Sequence, residues 1–252
     1  MKIKTFFNAL LVTTAATLML ATPAQATLQA RDLNGDGVTD AFYDTTLNIT
    51  WLRNANVNGP MTWDSAVAWA AGYSFGGYNG WRLPTMVDTG TPGCNLSYAG
   101  GTDCGSNVQT TSGSTVYSEM ASLWYDTLGN KAYCPPGDSS CSSHPLGWGL
   151  SNTGDFLNFQ SYVYWSGMEY APNTTNAWNF NTNFGNQGGG YKYYQLYALA
   201  VRPGDVAGAQ VPEPATLVLA LVALAGLGLV RRWPASGVFG ALNPSLVVLL
   251  KG

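Results

Sequence analysis

Trp178-Asn179-Phe180-Asn181-Thr182-Asn183-Phe184, followed by Gly185-Asn186-Gln187-Gly188-Gly189-Gly190 and Tyr191-Lys192-Tyr193-Tyr194-Gln195, is the stretch whose reading decides the fold. Its first part alternates aromatic and amide side chains. Successive side chains of a strand point to opposite faces, so Trp178, Phe180 and Phe184 fall on one face and Asn179, Asn181 and Asn183 on the other. The glycine-rich middle predicts a hairpin turn and residues 191–195 the returning strand. Neighbouring strands lie about 4.8 Å apart, so the amide ladder is expected to face a tyrosine ladder. Amides both donate and accept, as sugar hydroxyls require, and tyrosine adds a flat apolar face with a polar tip. Residues 176–197 are therefore the candidate ligand face, with Asn176, Asn179, Asn181, Asn183, Asn186, Tyr191, Tyr193, Tyr194 and Gln195 as its members. The competing reading is a solvated face held together by cross-strand aromatic pairing.

Working outward, further strands are predicted at residues 162–165 and 197–202. Leu47, Ile49 and Trp51 alternate with Asn48 and Thr50, which predicts a half-buried strand. Thr62 predicts the cap of a helix carrying Trp63, Ala66, Val67 and Ala70 on one face and stopped by Gly72. Ser118 predicts the cap of a second, with Met120, Leu123, Trp124 and Leu128 inward and Gly129 ending it. Two helices among short antiparallel strands make an α+β domain over residues 27–205, with 206–211 as a linker. Composition agrees: 13% aromatic and 10% charged residues argue against both a disordered chain and a helical bundle. Thirteen Asp and Glu against six Lys and Arg between Thr27 and Gln210 exclude nucleic acid as a natural partner.

The chain's two ends read as membrane signals. Lys2 and Lys4 precede an apolar run over residues 6–20, then Ala24-Gln25-Ala26, the small-x-small pattern of signal cleavage, so residues 1–26 read as a signal peptide. Residues 215–230 carry no charge and are followed by Arg231-Arg232. They predict a transmembrane helix with its arginine end in the cytoplasm and the acidic middle outside. In such an oxidising space the four cysteines read as disulfides. Three pairings are possible, and Cys94–Cys104 with Cys134–Cys141 is favoured because each pair staples one of the two long loops, 87–117 and 132–157. Zinc is the alternative, but no CxxC spacing is present.

Two resemblances sharpen this. Val211-Pro212-Glu213-Pro214, the apolar run and Arg231-Arg232 resemble a PEP-CTERM sorting signal over residues 212–232. That resemblance implies recognition by exosortase-type machinery, transient residence in the inner membrane, and delivery to the surface or extracellular matrix of a Gram-negative bacterium. Residues 233–252 form an atypical tail beyond it. In the middle, 43–52, Met61-Thr62-Trp63, Gly77-Tyr78-Asn79-Gly80-Trp81-Arg82-Leu83-Pro84-Thr85, Tyr164-Trp165-Ser166-Gly167 and Ala200-Val201-Arg202-Pro203-Gly204 resemble, in this order, an Lcl-C-type domain. The resemblance implies a C-type-lectin-like fold whose first and last strands pair and whose long loops carry binding. It also implies that residues 176–197 occupy the place that diversity-generating retroelements vary in some such domains.

Chemistry for catalysis is sparse. His144 is the chain's one histidine, no Gly-x-Ser-x-Gly elbow is present, and the acids are scattered, so the expectation is a non-enzyme. No cofactor is implied. Asp32, Asn34, Asp36 and Asp40 match the early positions of an EF-hand-like calcium loop, but position twelve is Tyr43, and a polar turn is the preferred reading. The expected function is non-catalytic binding of a polysaccharide or another surface ligand, with a diversified receptor or a purely structural matrix protein as alternatives.

Overall fold

The computed structural model describes residues 28–88, 100–101 and 103–206. In chain order the first elements are β1 (Leu28–Arg31), β2 (Ala41–Asp44), β3 (Ile49–Leu52) and α1 (Trp63–Gly72). Next come β4 (Gly105–Ser106), β5 (Thr111–Ser112), β6 (Thr115–Val116) and α2 (Glu119–Ala121), which runs on as a π-helical turn, Ser122–Thr127. The chain closes with β7 (Val163–Glu169), β8 (Asn176–Asn181), β9 (Asn186–Tyr191) and β10 (Val201–Pro203). Two four-stranded antiparallel sheets result, in the orders β1-β2-β3-β10 and β4-β9-β8-β7. This is the predicted α+β pattern. The expected signal peptide with Ala24 and Ala26, and the sorting segment with Val211 to Pro214, Arg231 and Arg232, lie outside the described residues. Among the described residues no helix is long and apolar enough to cross a membrane.

The strand predicted around Ile49 and Trp51 pairs with the last strand of the domain, Val201 opposite Trp51 and Pro203 opposite Ile49. It is not half-buried: all four residues of β3 are buried, because β2 and β10 flank it and packed side chains cover both faces. Thr50 meets this burial by donating its hydroxyl to the Gly204 carbonyl at 2.8 Å. Two strands, β1 and β2, precede it where only a polar turn was expected, and the Asp-rich loop is their connection.

α1 begins after Thr62, whose side chain bonds Ser65 Oγ and caps no backbone N–H. Its buried stripe is Ala66 and Ala70, while Val67, expected inward, is 36% exposed because it sits one residue, about 100°, off that stripe. Ser118 caps α2 as predicted, accepting from Ala121 N at 3.2 Å. Met120, Leu123, Trp124 and Leu128 are all buried, and Gly129 follows at φ 68°. They join Trp51, Tyr164, Phe180, Leu199 and Val201 in the largest core cluster, which ties the two sheets together.

Asp44 in this core has its Oδ1 bonded by the Thr46 and Leu47 amides at 2.9 and 3.0 Å, whereas Oδ2 is buried with no partner among the described residues. Burial raises its carboxyl pKa above the usual 3.8, against the pull of the Leu47 and Thr46 amides. A raised folded-state pKa contributes stability that is fully present below 3.8 and is lost as pH rises through the folded value. Asp32 and Asp138, whose carboxyls are held low by hydrogen bonds, lose their contributions only on acidification below 3.8. Urea unfolding between pH 4 and 7 is therefore expected to show wild-type stability falling as pH rises, at about 1.4 kcal/mol per tenfold change in proton affinity. In Asp44→Asn that fall is expected to shrink, and an unchanged slope would remove Asp44 as its source.

Candidate functional site

The β8–β9 hairpin differs from its expected register. Thr182 to Gly185 makes the turn: Gly185 at φ 63° donates its N–H to Asn181 O at 2.8 Å, and Asn181 Oδ1 accepts from Asn183 N at 3.0 Å. Asn186 to Gly190, expected as the turn, is instead the returning strand, with Asn179 opposite Gly188 and Asn181 opposite Asn186. At Gly190 neighbouring side chains crowd the space a side chain would take. A Cβ on Gly190 would lie 2.9 Å from Asn179 Nδ2, 3.6 Å from the Tyr194 ring and 3.9 Å from Trp165. No amide ladder therefore faces a tyrosine ladder. Trp178 and Phe180 are buried on one face and Asn179 and Asn181 half-buried on the other, as predicted. Phe184 leaves the buried face because the strand ends at Asn181; it is 40% exposed in the turn.

The structure divides the expected face into two places. At one end Tyr191, opposite Asn176, opens a tight turn closed by Tyr194 N to Tyr191 O at 2.9 Å. Tyr191 and Tyr193 stack with centroids 5.2 Å apart, and Tyr194 meets both edge-on at 5.6 and 5.0 Å. All three are exposed, at 45, 67 and 44%. Desolvation, then Tyr194 beside it, pushes the Tyr193 phenol pKa up. Lys192 fixes the turn to the start of α1: its carbonyl accepts from Trp63 N at 3.0 Å, its ammonium lies 4.4 Å from the Trp63 ring centroid, and it pairs with Glu169. Asn179 and Tyr194 both border the space beside Gly190, and Gln195 follows the turn, exposed.

At the other end Asn181 and Asn186 line a pocket of about 330 Å³ with Phe184, Ser106, Tyr133, Ser140 and the Cys134–Cys141 disulfide. Asn183 lies in the turn between them, where its Oδ1 accepts from Ser161 Oγ at 3.2 Å. Phe184 packs edge-on to Tyr133 at 5.5 Å and parallel to Trp148 at 5.9 Å. His144 stacks on Tyr133 at 3.7 Å and its Nδ1 lies 3.1 Å from Tyr133 O, which makes it part of this loop's packing. The Cys134–Cys141 staple is the expected one, with Cα atoms 4.8 Å apart. Cys104 is disulfide-bonded as well, and Cys94, its expected partner, lies outside the described residues. The pocket residues Ser106, Tyr133 and Ser140 carry no sequence signal of their own; the short staple between Cys134 and Cys141 is the one feature that marks their loop.

A model of the Lcl C-terminal domain matches residues 40–202, most of the chain. The chain belongs to this family. A model of the PEP-CTERM protein-sorting motif matches residues 210–232, which makes the protein an exported one that passes through the membrane and is read by exosortase sorting machinery. No curated protein matches the chain.

The Asp-rich loop, which lies almost wholly before the matched Lcl C-terminal domain, brings carboxylate oxygens of Asp32, Asp36 and Asp40 within 4.8 Å of one another. The loop's own amides use them: Asp32 accepts from Gly37 and Gly35 N at 2.7 Å and from Asn34 N at 3.2 Å, and Asp40 Oδ2 accepts from Leu33 N at 3.0 Å. Asn34 Nδ2 donates to Asp36 Oδ2 at 3.0 Å. The hydrogen bond from Gly37, ahead of those from Gly35 and Asn34, holds the Asp32 carboxyl below its usual range. These hydrogen bonds order the loop as the connection between β1 and β2.

Proposed function

We propose that this domain is a non-catalytic, C-type-lectin-like binding module that holds polysaccharide at the cell surface or in the extracellular matrix through its tyrosine turn. The observation that carries this reading is the position of Tyr193 and Tyr194. They lie in a turn and not in a strand, so cross-strand pairing does not account for them, and they remain exposed on a support clamped by Lys192 to Trp63 and Glu169. Exposed aromatic rings of fixed orientation are what the apolar face of a sugar stacks against, at little entropic cost. β10, the last strand, pairs with β3 and not with β1, the first, so support for the lectin-like arrangement comes from the closing of one sheet by the end of the domain and from the disulfide-stapled loop. Export with a sorting motif supports this reading, because polysaccharide is met outside the cell.

The test is retention on matrix polysaccharide by the full-length protein with its disulfides intact. Each ring contributes about 0.5–1.5 kcal/mol, so Tyr193→Ser with Tyr194→Ser is expected to weaken retention about tenfold while the melting temperature holds. Retention equal to wild type would mark the protein as a structural component without a sugar site at this turn.

A further inference from the structure

We propose that the pocket between the Cys134–Cys141 loop and the Asn181–Asn186 end of the β8–β9 hairpin is a second binding site, for the acetamido group of a single N-acetylated sugar unit. It is separate from the tyrosine turn and does not rest on that reading. Three observations converge on this ligand. The lining holds no Lys, Arg, His, Asp or Glu, so the pocket suits a neutral molecule. Its volume of about 330 Å³ is at the small end of ligand pockets, which suits one ring and not a chain.

The third observation is the amide pair. Asn181 and Asn186 stand directly opposite each other across the hairpin. Asn181 Oδ1 is held by the turn amides of Asn183 and Phe184, so its NH2 is the group it offers to a ligand. Asn186 Oδ1 is buried with no partner among the described residues, an acceptor whose isolation costs about 1–3 kcal/mol. Its terminal torsion is soft, so an incoming donor can draw it to the pocket wall. A secondary amide carries one C=O and one N–H, the complement of this pair: the C=O accepts from Asn181 Nδ2 and the N–H donates to Asn186 Oδ1. A hydroxyl offers one oxygen to both. The Phe184 and Tyr133 rings and the disulfide supply apolar surface for the acetyl methyl and one face of the ring, and parallel Trp148 extends that surface outward.

The experiment is calorimetric titration of the full-length oxidised protein with chitotriose and with cellotriose, which shares the backbone but carries hydroxyls in place of acetamido groups. Chitotriose is expected to bind at least tenfold more tightly. Asn181→Ala and Phe184→Ala are expected to reduce that affinity tenfold or more. Because Asn181 also closes the turn, Ser140→Trp on the exposed loop is the companion variant: it fills the pocket from the loop side and leaves every hairpin residue unchanged, and it is expected to abolish binding with a melting temperature close to wild type. Tyr193→Ser with Tyr194→Ser is expected to leave chitotriose affinity as in wild type. Equal affinity for the two trisaccharides, binding of neither, wild-type affinity in Ser140→Trp, or loss of chitotriose binding in the tyrosine variant would each overturn the proposal.

Discussion

Replacing Arg82 by Met is expected to lower the unfolding free energy by about 3–5 kcal/mol, the cost of leaving a buried charge without its partner. The Arg82 guanidinium donates two parallel bonds to Glu119, both 2.7 Å, and a third to Leu83 O. Glu119 is 6% exposed at the start of α2, and once Arg82 is gone it keeps the Thr85 amide at 2.7 Å. The pair joins the segment before the long loop to the helix after it, while the Arg82 backbone bridges Val201 of β10 through two 2.8 Å bonds. After burial, the same carboxylate is a minor further cause of the raised pKa of Asp44. Urea unfolding checks this, with Arg82→Met/Glu119→Met as the decisive control. Two apolar side chains fill the same space without a stranded charge, so the double variant is expected to recover most of the loss. A double variant as unstable as the single one would show that packing, and not charge, ties these segments.

The second large effect is expected at Gly185. Alanine there must adopt φ 63°, which costs about 1–2 kcal/mol for an L side chain. Its Cβ would also overlap the Trp124 ring and come 3.0 Å from Ala132 Cα. Trp124 is fully buried and the Gly185 carbonyl accepts from Tyr125 OH, so neither side has room to give. Overpacking adds about 1–3 kcal/mol, and the sum approaches the whole stability of a marginal domain. Gly188→Ala is the matched comparison: Gly188 lies in β9 with nothing near its absent Cβ, and its unfolding midpoint is expected to stay close to wild type. If Gly185→Ala also keeps the wild-type midpoint, the turn is not packed against Trp124.

These positions show what the sequence makes legible. Period-two alternation identified β3 and β8, and period 3.6 identified both helices, with capping borne out at Ser118 but not at Thr62, because those signals are local. The Cys134–Cys141 staple was readable for the same reason. The hairpin register was not. Gly188, Gly189 and Gly190 read as a turn because glycine is the default turn residue, yet at Gly190 its purpose is to leave space for Asn179, Tyr194 and Trp165, which a three-dimensional neighbourhood alone reveals. That one shift moved Asn186 into a strand, placed the tyrosines in a turn, and split one expected face in two. β1 and β2 escaped notice because the polar Asp-rich loop between them dominates the composition there.

The closure of the first sheet has a mechanical consequence. Asp205, two residues past β10, clamps Arg31 of β1 through two 2.8 Å bonds, and buried Val206 follows it. Tension applied along the polypeptide from its sorting end reaches this clasp first, then Gly204, bonded to Asn48 and Thr50, and only afterwards the three-residue strand β10. A pull from the C-terminal side is thus resisted at the rim of the first sheet before it reaches the tryptophan-filled interior.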